Sequence, residues 1–459
     1  MFDNEFIRVS SCNPRYFEYE SGAPFLPIGV NLCFQRYITD DGEALAMFEK
    51  EIRHFAENGG NLIRVWCGVA LLNLEPELEG MFSAEKLENM KALVAIAKKN
   101  HVRIKFTLEH FRTVTPRKER ELFTGAVTFQ QPIYHTSRGG SCENMTDYFT
   151  KDAPRKNLLK KLEILSREFA GEPAVMGWEL WNELNAVDAP RNVWLPWLEM
   201  MVAEMHRLFP RQLIMQSLGS FDCLESFANY AAVGRVPGID VGQIHRYLEP
   251  GADLDICRGA LDLLEADATR ETLELFPERP VFVAETGAAA YHHSGPSHLY
   301  EQDRAGILLF DGVFTPFFCG VAGCGHFWHW DQFYIGLHDH WKIFSLFAET
   351  VAGVDPVREN FTVHQRESGR LRFYGLSGRT QQLWLLRDKR NDWQHEFNEG
   401  IAPELLAEME IPLAALTSQT VSGVSFFAPW DGTRGALAIH DGKITLPRFH
   451  RALILKIQR

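Results

Sequence analysis

Up to about Val351 the chain alternates short apolar runs with longer stretches in which apolar residues recur every three or four positions. The short runs read as buried strands: Phe25–Asn31, Leu62–Gly68, Val102–Leu108, Ala174–Trp181, Gln212–Leu218, Asp240–His245, Pro280–Thr286 and Gly323–Trp330. The longer stretches read as helices over Ala44–Asn58, Ala84–Lys99, Arg155–Ala170, Val193–Phe209, Cys223–Val233, Arg258–Phe276, Leu299–Phe314 and His340–Ala352. Their ends carry physical punctuation: Ser83 offers a hydroxyl to the free N–H groups of the helix behind it, Lys98 and Lys99 sit at that helix's negative end, and Pro210 stops another.

Eight strands each followed by a helix predict a (β/α)8 barrel over residues 1–352. A doubly wound open sheet is the competing arrangement. Neither G-x-G-x-x-G after the first strand nor G-x-x-x-x-G-K-[ST] occurs, so the phosphate signatures of open sheets are missing. The long irregular stretches Phe111–Asp152, Gly287–His298 and Asp331–Asp339 follow strands three, seven and eight, which places them all at the C-terminal face of a barrel, where ligands bind. The residues FIRVSS and YFEYESGAPF predict a hairpin ahead of the barrel. From Asp355 onward alternating runs such as RLRFYGL, QQLWLLR and ALILKI replace the helical rhythm, and residues 353–459 read as an antiparallel β-sandwich.

Composition narrows the partners. With 60 acidic and 47 basic residues the net charge is −13, a field that repels nucleic-acid backbones. The eight cysteines include no C-x-x-C pair and several lie in apolar runs, as buried thiols of a reduced, cytoplasmic protein would. The start MFDNEFIRVS has no signal-peptide pattern, and Gly306–Trp330 is too broken by Asp311, Pro316 and glycines for a membrane span. Aromatic residues, 12% of the chain with 33 Phe and 11 Trp, exceed what an ordinary core needs.

Two carboxylates stand out. Glu183 ends strand four in WELWNE, and Glu285 ends strand seven in VFVAETG. Each alone fits a helix cap or a structural ion pair, but two acids at strand tips of one barrel converge on one mouth. Paired carboxyls are what glycosidic bond cleavage requires, one protonating the leaving oxygen while the other attacks or activates water. Aromatic rings suit the C–H faces of sugars.

WNE at strand four with AETG at strand seven resembles clan A glycoside hydrolases, most closely family 5, the cellulase and mannanase family. Arg64 in LIRVW matches the arginine that holds the nucleophile, His110 in TLEHF a histidine of the sugar subsite, and Asn182 the amide that contacts the sugar 2-hydroxyl. His245 and Tyr247 in IHRY match a His-x-Tyr pair, and FWHW matches the stretch carrying the subsite tryptophan, Trp328 with Trp330 as alternative. The resemblance implies a retaining enzyme with Glu183 as acid/base and Glu285 as nucleophile, acting on β-linked glucosides, mannosides or related oligosaccharides. Those roles require Glu285 ionised by Arg64 and Tyr247, and Glu183 kept protonated by apolar neighbours and by its partner's charge.

Rival residues have plainer readings. Glu179 lies four residues before Glu183, about 13 Å deeper at a rise of about 3.3 Å per residue, and reads as an interior ion-pair partner. Glu109 is a further candidate ligand for substrate. His292, His293, His298, His326, His329, His338 and His340 crowd the last two loops without H-E-x-x-H or a Cys/His set, so sugar contacts or packing are expected rather than a metal, and no cofactor is implied. Without an export signal, short oligosaccharides and exo or trimming action are expected over endo cleavage of polymers. A non-catalytic carbohydrate-binding barrel and a metal-dependent hydrolase are the competing functions; the sequence leaves oligomeric state open.

Overall fold

The structure is a computed structural model and describes residues 4–116 and 131–459; part of the predicted Phe111–Asp152 loop therefore lies outside the described residues. Five strands form one parallel sheet in the order β1 (Gly29–Asn31), β2 (Leu62–Trp66), β3 (Arg103–Glu109), β4 (Val175–Trp181) and β5 (Leu213–Met215). Two more, β6 (Gly242–His245) and β7 (Val281–Glu285), pair in parallel. A bridge between Met215 and Val241 links β5 toward β6. Almost every residue of these strands is buried, as expected of parallel strands covered by helices.

The eighth predicted strand differs. Gly323–Trp330 is not a regular strand; only Phe327 bridges, to Val30 on one side and Thr286 on the other. Its backbone nevertheless bonds to both flanks, with Trp328 N donating to Thr286 O at 2.9 Å and Asn31 N donating to Phe327 O at 3.2 Å. Close backbone approach is the cause: a Cβ on Gly323 would sit 2.1 Å from Pro27 O, and one on Gly325 2.0 Å from Gly312 O. The predicted Leu299–Phe314 helix is likewise two, Leu299–Gln302 and Ile307–Phe318, separated at Gly306 with φ 70°. Asp303 caps the second, accepting from the N–H groups of Ile307 and Leu308 at 2.8 Å each. The remaining long helices form where periodicity places them, and Ser83 caps Ala84–Lys99. At the N-terminus the expected hairpin is a three-stranded sheet, Ile7–Val9, Phe17–Tyr19 and Pro24–Phe25, which takes Phe25 out of β1.

Beyond Asn360 lies a separate antiparallel unit. Six strands stand in the spatial order Thr362–Ser368, Leu371–Ser377, Gln381–Asp388, Ala452–Gln458, Gly423–Ala428 and Thr433–Leu437. Alternation sends Phe373, Trp384, Leu386 and Leu455 into a small core with Ile411 and Leu446 of a three-stranded sheet (Met409–Pro412, Lys443–Leu446 and Ile439–His440), while Tyr374, Leu376, Leu383 and Leu385 join the main core. Two buried arginines pin this unit to the helices: Arg387 chelates Asp311 at 2.8 and 3.0 Å, and Arg372 holds Asp262 at 2.9 and 3.0 Å. Among the described residues no helix is long and apolar enough to cross a membrane.

Candidate active site

The C-terminal ends of the parallel strands open into a cavity of about 790 Å³ lined by Trp66, Arg112, Asn182, Glu183, Asp222, Tyr247, Glu285, His293 and Trp328, with neighbours from the same loops. Glu285 is the last residue of β7. Its Oε1 is bound by Arg64 Nη1, and its Oε2 accepts from Tyr247 Oη at 2.5 Å. Arg64 is fully buried and reaches in the other direction to Glu179 Oε1 at 2.5 Å and to Asn182 Oδ1 at 2.8 Å. Burial works against the guanidinium's charge, but Glu179 and Glu285 outweigh it and raise its pKa. Glu179 also faces Lys105 Nζ at 3.3 Å, Ser217 Oγ at 2.9 Å and Gln243 Nε2 at 3.0 Å. Although desolvation opposes ionisation, Arg64 and Lys105 hold its carboxyl well below the usual range. The expected interior ion pair is thus present beneath the cavity floor. Lys105, buried in the same network, is pushed down to about 8.

Glu183 follows β4 in the left-handed region, φ 56° and ψ 57°. A non-glycine residue held there stores strain of the kind found at functional sites. Its N–H donates to Ser217 Oγ at 3.2 Å. His245 Nδ1, at the end of β6, stands 3.1 Å from Glu183 Oε1 and 3.4 Å from Glu285 Oε2. The facing oxygens of the two carboxylates and His245 Nδ1 all lie within 4.8 Å of one another.

The expected protonation of Glu183 is corrected here. Burial raises its pKa, but the His245 hydrogen bond and the Arg112 guanidinium, 2.6 Å from Oε2, outweigh it and lower the carboxyl to about 2. The expectation of apolar neighbours failed because Arg112, immediately after β3, turns into the cavity. Sequence pattern gave no signal for it beyond its place in a strand-end loop.

Trp328 forms a wall of the cavity, whereas Trp330 packs behind it, edge-on with ring centroids 5.3 Å apart. His110 does not line the cavity; it stacks on Trp66 at 5.0 Å and supports that indole. Glu109 is turned away, bound to Lys161 Nζ at 2.5 Å beside Glu75, which removes it as a cavity group. Of the loop histidines only His292 and His293 reach the cavity lining. His326 packs on Phe282, His329 lies 3.1 Å from Tyr300 Oη, and His338 and His340 bind backbone carbonyls. Burial pushes the pKa of His326 and His329 down, as in packed neutral imidazoles. Among the described residues, Asp222, Glu249 and His293 are a second set whose ligand atoms lie within 4.8 Å, a spacing a cation could span.

No family model matches the sequence, and no curated protein does. Solved structures are similar over nearly the whole chain. A glycoside hydrolase family 5 structure from Bacteroides vulgatus aligns over 99% of this chain and 93% of its own, with TM-score 0.62 and 12% identity. A family 39 glycoside hydrolase from Bacteroides cellulosilyticus covers 95% and 81%, at 0.52 and 16%. An endo-β-1,4-mannanase from Thermotoga petrophila covers 92% and 91%, at 0.51 and 14%. Glu183, Glu285 and the buried Arg64 that holds Glu285 thus sit in a chain that has the fold of glycoside hydrolases of the family 5 type.

Proposed function

We propose that the protein is a retaining β-glycoside hydrolase. In this reading the parallel strands, with Gly323–Trp330 between β7 and β1, close into a (β/α)8 barrel within residues 1–352, and residues 353–459 are a packing sandwich. The observation that carries the activity is the facing of Glu183 and Glu285 with oxygens within 4.8 Å. Retaining enzymes hold their carboxyls about 5–5.5 Å apart, while inversion needs roughly 6.5–9.5 Å to admit a water. Glu285, gripped by Arg64 and Tyr247, attacks the anomeric carbon as the glycosidic C–O bond breaks. Glu183 gives the leaving oxygen a proton, then takes one from the water that releases the sugar from Glu285.

Asn182 is placed to read the 2-hydroxyl, and Trp328 offers a face to the sugar ring. His245 sits between the two acids, while His110 and Trp330 act through Trp66 and Trp328. The substrates are β-linked glucosides, mannosides or related hexosides. A cavity of about 790 Å³ falls in the range that encloses small ligands, which supports short oligosaccharides and exo action.

Hydrolysis of aryl β-glycosides should fall by about four orders of magnitude in Glu285→Ala. Azide should restore turnover by entering the vacated side, so that a single displacement yields a glycosyl azide of inverted configuration. Undiminished rates in both Glu285→Ala and Glu183→Gln would overturn the assignment.

A further inference from the structure

The proposed displacements leave one charged group beneath the cavity floor without a role. Lys105 lies on β3, on the same face as Thr107 two residues on, and is fully buried. Its ammonium donates to Gln243 Oε1 and stands 3.3 Å from Glu179 Oε2. Glu179 already has donors on both oxygens: Arg64, Ser217 and Thr107 reach Oε1 at 2.5, 2.9 and 3.3 Å, and Gln243 reaches Oε2 at 3.0 Å. What Lys105 adds is charge. Desolvating an ammonium is costly, and an apolar side chain of similar length would avoid the cost.

That charge is linked to the nucleophile through Glu179 and Arg64. Arg64 binds Glu179 through Nη2 and Glu285 through Nη1, so cations and anions alternate from Lys105 to Glu285. The balance changes during the reaction. When Glu285 bonds to the anomeric carbon its carboxylate charge is lost, and the second displacement restores it. In that step water bonds to the anomeric carbon and passes a proton to Glu183, while the C–O bond to Glu285 breaks and its electron pair returns to the carboxylate. A fixed positive charge nearby favours regenerating the carboxylate and does not help it attack, and in a buried site such a charge acts over several ångströms.

We propose that Lys105 is a positioning residue for the second displacement: its ammonium, acting through Glu179 and Arg64, stabilises Glu285 as the carboxylate that leaves the glycosyl-enzyme. This rests on the glycosidase reading and assigns the buried network to one step within it. The groups facing the ammonium are Arg64 from β2, Glu179 from β4, Cys33 after β1 and His326 from Gly323–Trp330, with the uncharged Gln243 of β6 and the Phe282 ring of β7 beside it. Burial keeps the Cys33 thiol and the His326 ring neutral, leaving Glu179 and Arg64 as the charged neighbours. Burial, with Arg64 beside it, outweighs Glu179 and brings the pKa of Lys105 down to about 8. The charge is thus present at neutral pH and lost in mildly alkaline solution.

A 2,4-dinitrophenyl 2-deoxy-2-fluoro-β-glycoside, gluco or manno according to the sugar the enzyme hydrolyses, separates the two steps, since the fluorine slows both and the good leaving group lets the glycosyl-enzyme accumulate. The rate of inactivation reports the first displacement, and recovery of activity after excess reagent is removed reports the second. Lys105→Met should slow recovery by about three- to tenfold and leave inactivation unchanged or faster. In wild type, recovery should slow as the pH rises through about 8 while inactivation stays flat, and Lys105→Met should lack that fall. The wild-type profile tests the proposal even where the variant does not fold. Equal slowing of both steps in Lys105→Met, or recovery in wild type that holds its rate across that pH, overturns it. Hydrolysis of aryl β-glycosides that survives Glu285→Ala would instead overturn the glycosidase reading itself.

Discussion

The two carboxylates at the cavity floor are held in opposite ways. Glu285 belongs to a regular strand, is nearly sealed from water, and has each oxygen gripped by a group that is itself buried, Arg64 and Tyr247. Glu183 sits two residues past the end of its strand, on a left-handed turn, and one of its two holders is the part-exposed Arg112. Beneath Glu285 the ion network of Arg64, Glu179 and Lys105 is closed to solvent on every side. A group surrounded by fixed partners is preorganised for a single charge state, and preorganised charge is what a nucleophile needs. One set beyond its strand, beside a part-exposed partner, is suited to gain and lose a proton. The difference separates a side built to stay constant from a side built to change.

Removing the changeable group should have the largest effect on chemistry and should depend on the leaving group. Glu183→Gln keeps the shape but cannot donate a proton. Hydrolysis of alkyl or sugar β-glycosides should drop by about 10²–10⁴-fold, while 2,4-dinitrophenyl glycosides, whose leaving group needs no proton, should react in their first step at nearly the wild-type rate. A uniform loss across both substrates would mean that Glu183 holds structure rather than a proton.

Breaking the constant side should cost both rate and stability. Arg64→Met leaves Glu285 and Glu179 buried without their shared cation, so kcat should fall by roughly 10²–10³-fold. Unfolding free energy should fall by about 3–5 kcal/mol, as when one member of a buried ion pair is removed. Denaturant titration of wild type and variant measures the second number. A variant as stable as wild type would show that the network beneath the floor is not holding the strands together.

Much of this contrast could be read from the residues in order, and the parts that could not have a common cause. Arg64 and Tyr247 were legible through the resemblance that WNE and AETG carry, and Glu285 and Glu179 because a strand fixes depth and face by alternation. The first seven strands follow from apolar runs for the same reason. Gly323–Trp330 looked equally like a strand, but its glycines bring the backbone too close to Pro27 and Gly312 for regular pairing. His110 and Trp330 carried the right residue type at the right strand and still stand one layer behind the cavity, because type and register do not fix the rotamer. Arg112 was invisible: a loop arginine has no periodicity, and its direction is set by tertiary contacts such as the bond from Asp188 N to its own carbonyl, 2.8 Å. The expected protonation of Glu183 failed through the His245 hydrogen bond together with that arginine.

The smallest expected effect tests the changeable side through stability alone. Glu183 has a folded-state pKa near 2, below its unfolded value of about 4.5, because His245 and Arg112 outweigh burial. A depressed acid binds fewer protons in the folded than in the unfolded state, so its contribution is fully present above about pH 4.5 and is lost as the pH falls toward 2. Glu183→Gln, a neutral stand-in, should therefore be the less stable protein at pH 7 by about 1–2 kcal/mol, after allowing for solvent screening at the part-exposed Arg112. The gap between the two unfolding curves should narrow between pH 4.5 and 2 and close near the lower limit. A gap that stays constant across that range would mean that Glu183 is not charged in the resting protein, and the contrast between the two sides would then lie in backbone strain and exposure rather than in protonation.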